Sequence, residues 1–392
     1  MSTIKSSNEH LTLNADGSSK EIKFQCNGTE VAKIDSTGFV NAGATTLNGL
    51  TDVSMDITNF ADSLLIQPDS DGSAPTTGTL SSASNNVGIG KDVFAALTSG
   101  TENIAIGKEA LMADTTGASN VAIGGDSLQV NTTGGDNVGV GRNTLQANTT
   151  ASNNTAIGKS ALALNTTGAD NTALGSDSLF ANTTGGQNVA VGRQTLDANT
   201  TGSDNTAVGV YALSANTTAS TNTAVGRLAM AANTTGAAQT AVGKNALTAN
   251  TTGTKNNAFG VNSLEANTTG NENAAFAKDS LQSNTTGSSN AAFGMDALKA
   301  NTTASNNTAV GWRALIGNTT GADNVGVGMS ALPANTTGQH NTAVGKGCLP
   351  SVTTGSSNTA MGRATGQNIS TASKNVLIGN EAGYDNTSGY EN

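Results

Sequence analysis

From residue 84 onward, apolar and polar positions return every seventeen residues. The triplet Asn-Thr-Thr begins at 131, 148, 165 and 182 and continues without a break to 335. A glycine column runs from Gly90 to Gly379 with Ala277 as its one exception, and an asparagine four places earlier runs from Asn86 to Asn375, interrupted by Gln239. A strict period with no insertion predicts layers stacked in fixed register, as in solenoids, and not a set of looped globular domains. The count is eighteen units, spanning roughly 84–390.

Within a unit, Asn154-Thr155-Ala156-Ile157-Gly158 alternates with period two, which predicts a short strand. The column of Ile106, Ile123, Val140 and Ile157 is always apolar, and a leucine column follows at Leu111, Leu128, Leu145 and Leu162. These two columns are expected to face each other as the core ladder, with a second short strand at Ala161-Leu162. Asn165-Thr166-Thr167-Gly168 carries turn chemistry. Its asparagines, in register, are expected to hydrogen-bond along the stack as amide ladders do. The other strand face, Ala156, Gly158, Ala173 and Gly175, is nearly bare. Such a strip either fills a narrow roll or admits another backbone. The second reading is preferred because so thin a roll lacks apolar area alone, and three copies around an axis would supply it. The expected fold is therefore all-β: a repetitive parallel β-solenoid of eighteen coils, trimeric, and about 80–90 Å long at the usual strand spacing.

Residues 1–68 do not share the period. Alternating stretches broken at Asp16-Gly17, Asn27-Gly28 and Ser36-Thr37-Gly38 predict a small β meander, read as an N-terminal attachment module. A Ser/Thr/Gly/Pro connector is expected at 69–83 and the rod at 84–392. The last units drift, with Gly366 and Gly383 in the leucine column, and no polar cap is evident. Since solenoid ends need cover, a continuing chain or a longer parent fibre is expected.

Composition narrows the function classes. Aromatic residues are 3% and charged residues 12%, too few for an ordinary globular core and for ordinary disorder alike. A net charge of −10 offers no basic face for nucleic acid. No apolar run is long enough to span a bilayer, so membrane insertion is not expected. The N-terminus lacks the apolar stretch of a secretory signal, which places synthesis in a cytoplasm. Cys26 and Cys348 stand in unlike contexts and read as small buried fillers.

No catalytic constellation stands out. Asp126, Asp177, Asp279 and Asp296 sit just after the glycine column, where a solvated turn accounts for them better than a glycan-cleaving carboxylate pair. Asp136, Asp170, Asp204 and Asp323 share a column that Asn153, Gln187 and Thr221 interrupt, so turns are favoured over calcium. His10 and His340 are isolated, which leaves zinc unsupported. "GIGKD" imitates a phosphate loop only in part, and no cofactor is expected. Large residues at variable positions, Phe180, Tyr211 and Trp312, are the candidates for surface recognition of a glycan or protein.

The motifs "IAIG" at 104–107 and "VAIG" at 121–124, each preceded by Asn, resemble the head repeats of trimeric autotransporter adhesins. That resemblance implies a parallel β-roll and three chains. The unit here is longer, and no coiled-coil stalk or membrane anchor is apparent. The segments "EIKFQCNGTEVAKIDSTGFV" and "LNGLTDVSMDI" are similar to ones in bacteriophage tail-fibre and virion-fibre proteins. This second resemblance implies a homotrimeric fibre whose N-terminus docks on other virion proteins and whose far end meets a host-surface glycan or protein. Location in the virion and no enzymatic activity are the corresponding expectations. Two alternatives remain: a bacterial surface adhesin head, and an ice-binding solenoid with a threonine ladder. Adjacent Thr166 and Thr167 weigh against the latter, because neighbours in a strand point to opposite faces.

Overall fold

The computed structural model describes residues 60–67, 77–384 and 387, together with the backbone of strands at 22–26, 29–35, 38–41 and 53–57. Strands β1 (Ile22–Cys26), β2 (Thr29–Asp35) and β3 (Gly38–Asn41) form an antiparallel sheet in that order, matching the expected meander. Strand β4 (Val53–Ile57) pairs antiparallel with β5 (Phe60–Ile66). From there the pairing becomes parallel. Strand β5 pairs with β6 (Ala83–Ser84) and with β7 (Val87–Ile89). Then β8 (Ile104–Ile106) to β24 (Val376–Ile378) follow at one three-residue strand per seventeen residues. Register never slips: Val138 pairs with Thr155, which pairs with Thr172. The result is an all-parallel β-solenoid, with no helix among the described residues.

The interior differs from the expected one. Ala156 and Ala173 are completely buried, as are Leu111, Leu128, Leu145 and Leu162. Ile157 and Ile123 face solvent, each with 37% of its surface exposed, and Ile106 and Val140 lie in the same outward column. The alternation was right, but the faces are reversed. Leucine is the reason. Leu162 takes a left-handed backbone, φ 51°, and turns its side chain into the coil, so only a methyl fits opposite. Ser160 is also left-handed, φ 56°, and these two kinks replace the expected second strand by turns. The alanine strip therefore fills a narrow roll inside one chain and is not an intersubunit surface. Gly158 and Gly175 stand at the corner that ends each strand.

Two asparagine ladders complete the interior. Asn154 Oδ1 accepts from the backbone N–H of Asn171 at 3.0 Å, and its Nδ2 donates to the Gly168 carbonyl at 3.0 Å. Asn165 Nδ2 donates to Asn148 Oδ1 at 3.1 Å and to Gly168 at 2.9 Å. Thr166 Oγ1 donates to the Thr183 carbonyl one layer on, at 2.9 Å. Asn-Thr-Thr thus closes each coil and binds it to its neighbours, as expected. One leucine per layer contributes about 1.5–3 kcal/mol by burial. The layer depends equally on pairing every buried polar group, since an unpaired one costs about 1–3 kcal/mol.

The ladder ends are informative. Leu97 precedes the Asn165 column and Val352 follows it, both completely buried. The last amide, Asn335, is left with an unpaired buried Oδ1. At the other end stands Asp114, wholly buried. Its Oδ1 accepts from Asn131 at 2.8 Å, whereas Oδ2, in the place of an amide nitrogen, has no partner. Burial pushes its carboxyl up to about 7, against the opposing bonds from Asn131 and the Gly117 backbone.

The rod begins earlier than the expected boundary at 84. Phe60 and Leu65 of β5 are buried in the common core, and Ser81 donates its N–H to Thr98 at 2.8 Å. Residues 77–83 therefore belong to the first coil and not to a connector. Cys348 is a buried free thiol, as expected of a filler, and burial raises it to about 11. The side chain of Cys26 and most of the attachment module lie outside the described residues.

Two predictions follow from this interior. Gly158 has φ 125°, and a Cβ on it would meet the Gly175 backbone at 2.6 Å. Ala277 holds φ 121° in the same column. Ala277→Gly should raise stability by about 1–2 kcal/mol, and Gly158→Ala should lower it by at least as much, both read by thermal melting. Asp114 holds an extra proton in the folded chain between its ordinary pKa of 3.8 and about 7, so stability falls as pH rises through that window and levels above it. Asp114→Asn should remove this slope, gaining about 4 kcal/mol at the upper end. Denaturant titrations of both proteins from pH 4 to 8 measure the difference.

Candidate functional site

The outward strand positions form one continuous strip along the rod. Each layer contributes two residues, such as Thr155 and Ile157, or Val189 and Val191. Column 157 varies freely among Val, Ile, Leu, Phe and Met, whereas column 156 is Ala or Gly in every layer except at Leu377. A packed interior position tolerates little change in size, so this contrast in variability is the signal that could have oriented the strand from sequence. The described strip spans eighteen strands, β7 to β24, hence about 80 Å in length. At about 10 Å wide it presents on the order of 800 Å². One of its two columns is apolar in every layer, whereas the other is Thr or Asn in nine of the eighteen strands, so the strip mixes apolar and polar surface.

The strip changes character along its length. Between Phe259 and Phe293 it becomes an aromatic stack. The rings of Phe259 and Phe276 lie 4.7 Å apart, and those of Phe276 and Phe293 4.8 Å apart, stacked with nearly parallel planes. Exposed Val261, Met295, Trp312 and Met329 extend this apolar zone past the corner glycine.

The three candidate recognition residues do not converge. Phe180 is exposed just after the leucine column, away from the strip. Tyr211 is left-handed, φ 60°, and its hydroxyl meets Arg193 Nη2 at 2.6 Å. Trp312 stands at the edge of the strip, six layers from Tyr211, with the Arg313 guanidinium 5.3 Å from its ring centre. Trp312 alone joins the strip.

The acidic columns occupy backbone corners. Asp126, Asp177, Asp279 and Asp296 have φ from 57° to 59°, and Asp136, Asp170, Asp204 and Asp323 from 56° to 60°. Short polar side chains tolerate that conformation best, which accounts for their recurrence. Among the described residues, no three His, Cys, Asp or Glu side chains are grouped so as to hold a metal ion. Lys278 and Lys299 bridge to Asp279 at 2.5 and 3.3 Å. Burial opposes ionisation of Asp279, but the bonds from Lys278, Asn262 and Lys299 together outweigh it and hold the carboxyl below its ordinary value.

The arrangement is a long flat strip, apolar at its middle and charged at its corners. No family model matches the chain, and neither the curated proteins nor the solved structures contain a significant match to it.

Proposed function

We propose that the chain is a structural fibre protein of a tailed bacteriophage virion, a homotrimeric rod that holds host-adhesive surfaces away from the particle. The observation that carries this reading is the outward strip running the length of the solenoid, one of whose two columns is apolar in every layer. Its area is comparable to one partner's share of a standard protein interface, about 800 Å². Three strips facing a common axis would leave each solenoid's outer corners free. The β1–β3 module precedes the rod in the chain and is the proposed docking end on the particle. Three identical chains would raise the effective concentration of any weak surface contact. The reading assigns the chain no bond-making chemistry.

A second reading is favoured by one observation. Thr155 and Ile157, or Thr206 and Val208, lie on the same flat outward face. This array, and not Thr166-Thr167, is the one that could order water as an ice-binding solenoid does. The stacked phenylalanines, and Val or Ala in place of Thr in other layers, break its regularity.

The discriminating measurement is mass in solution by light scattering, expected at three times 38.7 kDa. Val208→Glu with Val225→Glu should reduce it to that of one chain and leave the β-sheet circular dichroism unchanged, because both side chains already face outward. A monomeric rod that shows thermal hysteresis would favour the second reading.

A further inference from the structure

The strip is bordered on its two sides by opposite charges. The corner before each strand carries Glu102, Asp136, Asp170 and Asp204, all exposed and left-handed. Over these layers and on to 244, no cation enters that column. The corner after each strand carries Lys108, Arg142, Lys159, Arg193, Arg227 and Lys244, all exposed, and no anion enters that column anywhere. Lys108 is held by Glu109 at 2.6 Å, but Arg142, Lys159, Arg227 and Lys244 have no ion pair among the described residues. Beyond them, the next column carries Glu109 and Asp126 at the start of this run, and from 143 to 245 its one charged residue is Asp177, so the basic border is cleanest from Arg142 to Lys244. Further along, the first corner loses its uniform sign, with Lys255 bridging to Glu272 at 3.2 Å and His340 4.0 Å from Asp323.

We propose that these borders fix how copies of this chain align: the acidic border of one copy lies against the basic border of the next, so that the rods associate side by side and point the same way. The occupant of the strip is a second copy, which rests on the oligomeric reading above. The argument is geometric. When two rods face each other pointing the same way, the left border of one meets the right border of the other, and opposite charges meet. The same holds between neighbours in any ring about an axis parallel to the rods. When one rod is inverted at full overlap, left meets left and the layer order also reverses. Glu102, Asp136, Asp170 and Asp204 then face Ser357, Asp323, Ser289 and Lys255, so all but Asp204 lose a cationic partner, while Lys108, Arg193 and Arg227 face Arg363, Lys278 and Lys244, like against like. Charge arrangement of this kind contributes more to selecting the right arrangement than to raw affinity. The apolar layers from 259 to 329 supply contact area but no direction, and the charged layers from 102 to 244 supply direction.

Cross-linking tests the alignment. Thr155 and Thr308 face outward on strands equidistant from the two ends of the ladder, the fifth of eighteen from each. In a Cys26→Ser background, Thr155→Cys should oxidise to covalent dimers by itself. Size-tagged Thr155→Cys mixed with Thr308→Cys should give no mixed product. Predominantly mixed product would overturn the proposal while leaving an oligomer in place. Charge reversal gives a second, independent arm. Arg142→Glu, Lys159→Glu and Arg193→Glu together should raise the dissociation concentration at least roughly ten-fold at about 50 mM salt, with the effect shrinking at high salt. Adding Glu102→Lys, Asp136→Lys and Asp170→Lys to the same chain should restore association, since the borders are again complementary. Unchanged association after the first reversal, or no restoration after the second, would overturn the alignment. A wild-type chain that stays single at every concentration would overturn the oligomeric reading itself.

Discussion

Every layer of this protein depends on hydrogen bonding between identical positions seventeen residues apart. A coil this narrow cannot bury enough hydrocarbon to hold itself closed, because its interior carries one leucine and two small residues, such as Ala156 and Ala161, among amides. What holds it is the pairing of buried polar groups with their counterparts above and below. Asn154 bonds to the layer after it through its own Oδ1 and accepts no substitute by size alone. Gln239 shows the tolerance. Its N–H still accepts the bond geometry of the column by donating to Asn222 Oδ1 at 3.1 Å, while its longer amide reaches across to Asn233. An inserted residue anywhere would misalign all of these pairs in its layer at once, which is why the period is unbroken.

Because the backbone pairing is shared by all layers, the outward side chains are free to vary, and they do. The strip is polar-apolar in some layers, aromatic in others, and bordered by charge over part of its length. Structure and display are thus carried by different columns of the same unit. The inward columns set the fold and the outward columns set what the rod can meet. Stability in such an array is approximately a sum of layer and neighbour terms, so a local change in display need not disturb distant layers.

Much of the architecture was legible from sequence. The period, the fixed register, the strand at Thr155–Ile157 and the amide ladders all follow from column identities. The direction of the strand did not. Size argued that isoleucine belongs inside and alanine outside, and that argument assumed a roll wide enough for both Ile157 and Leu162. The left-handed kink at Leu162, which no local rule anticipates for a leucine, narrows the coil and reverses the faces. The second strand failed for the same reason. The start of the rod was misplaced because β5 joins the stack without sharing the repeat's sequence; only its pairing with β7 reveals it. Of the candidate recognition residues, Trp312 stands out by its departure from the repeat and lies at the edge of the strip, whereas the strip itself was hidden by being the repeat.

The unpartnered Oδ1 of Asn335 and the carboxyl of Asp114 mark where one interior ladder stops, although the strand ladder continues past both. Amide pairing in this column is therefore confined to the middle of the rod, and hydrocarbon takes its place on either side, while the Asn154 column pairs from Asn86 to Asn375. In the outer layers one side of the coil is thus closed by oily contacts, which reclose without recovering a particular bonding geometry, and only the other side by amides. Growth or loss of length by whole units would fall most harmlessly within the stretch where both columns are amides, since each unit there meets the same neighbours, so that the reach of the stack can change in even steps.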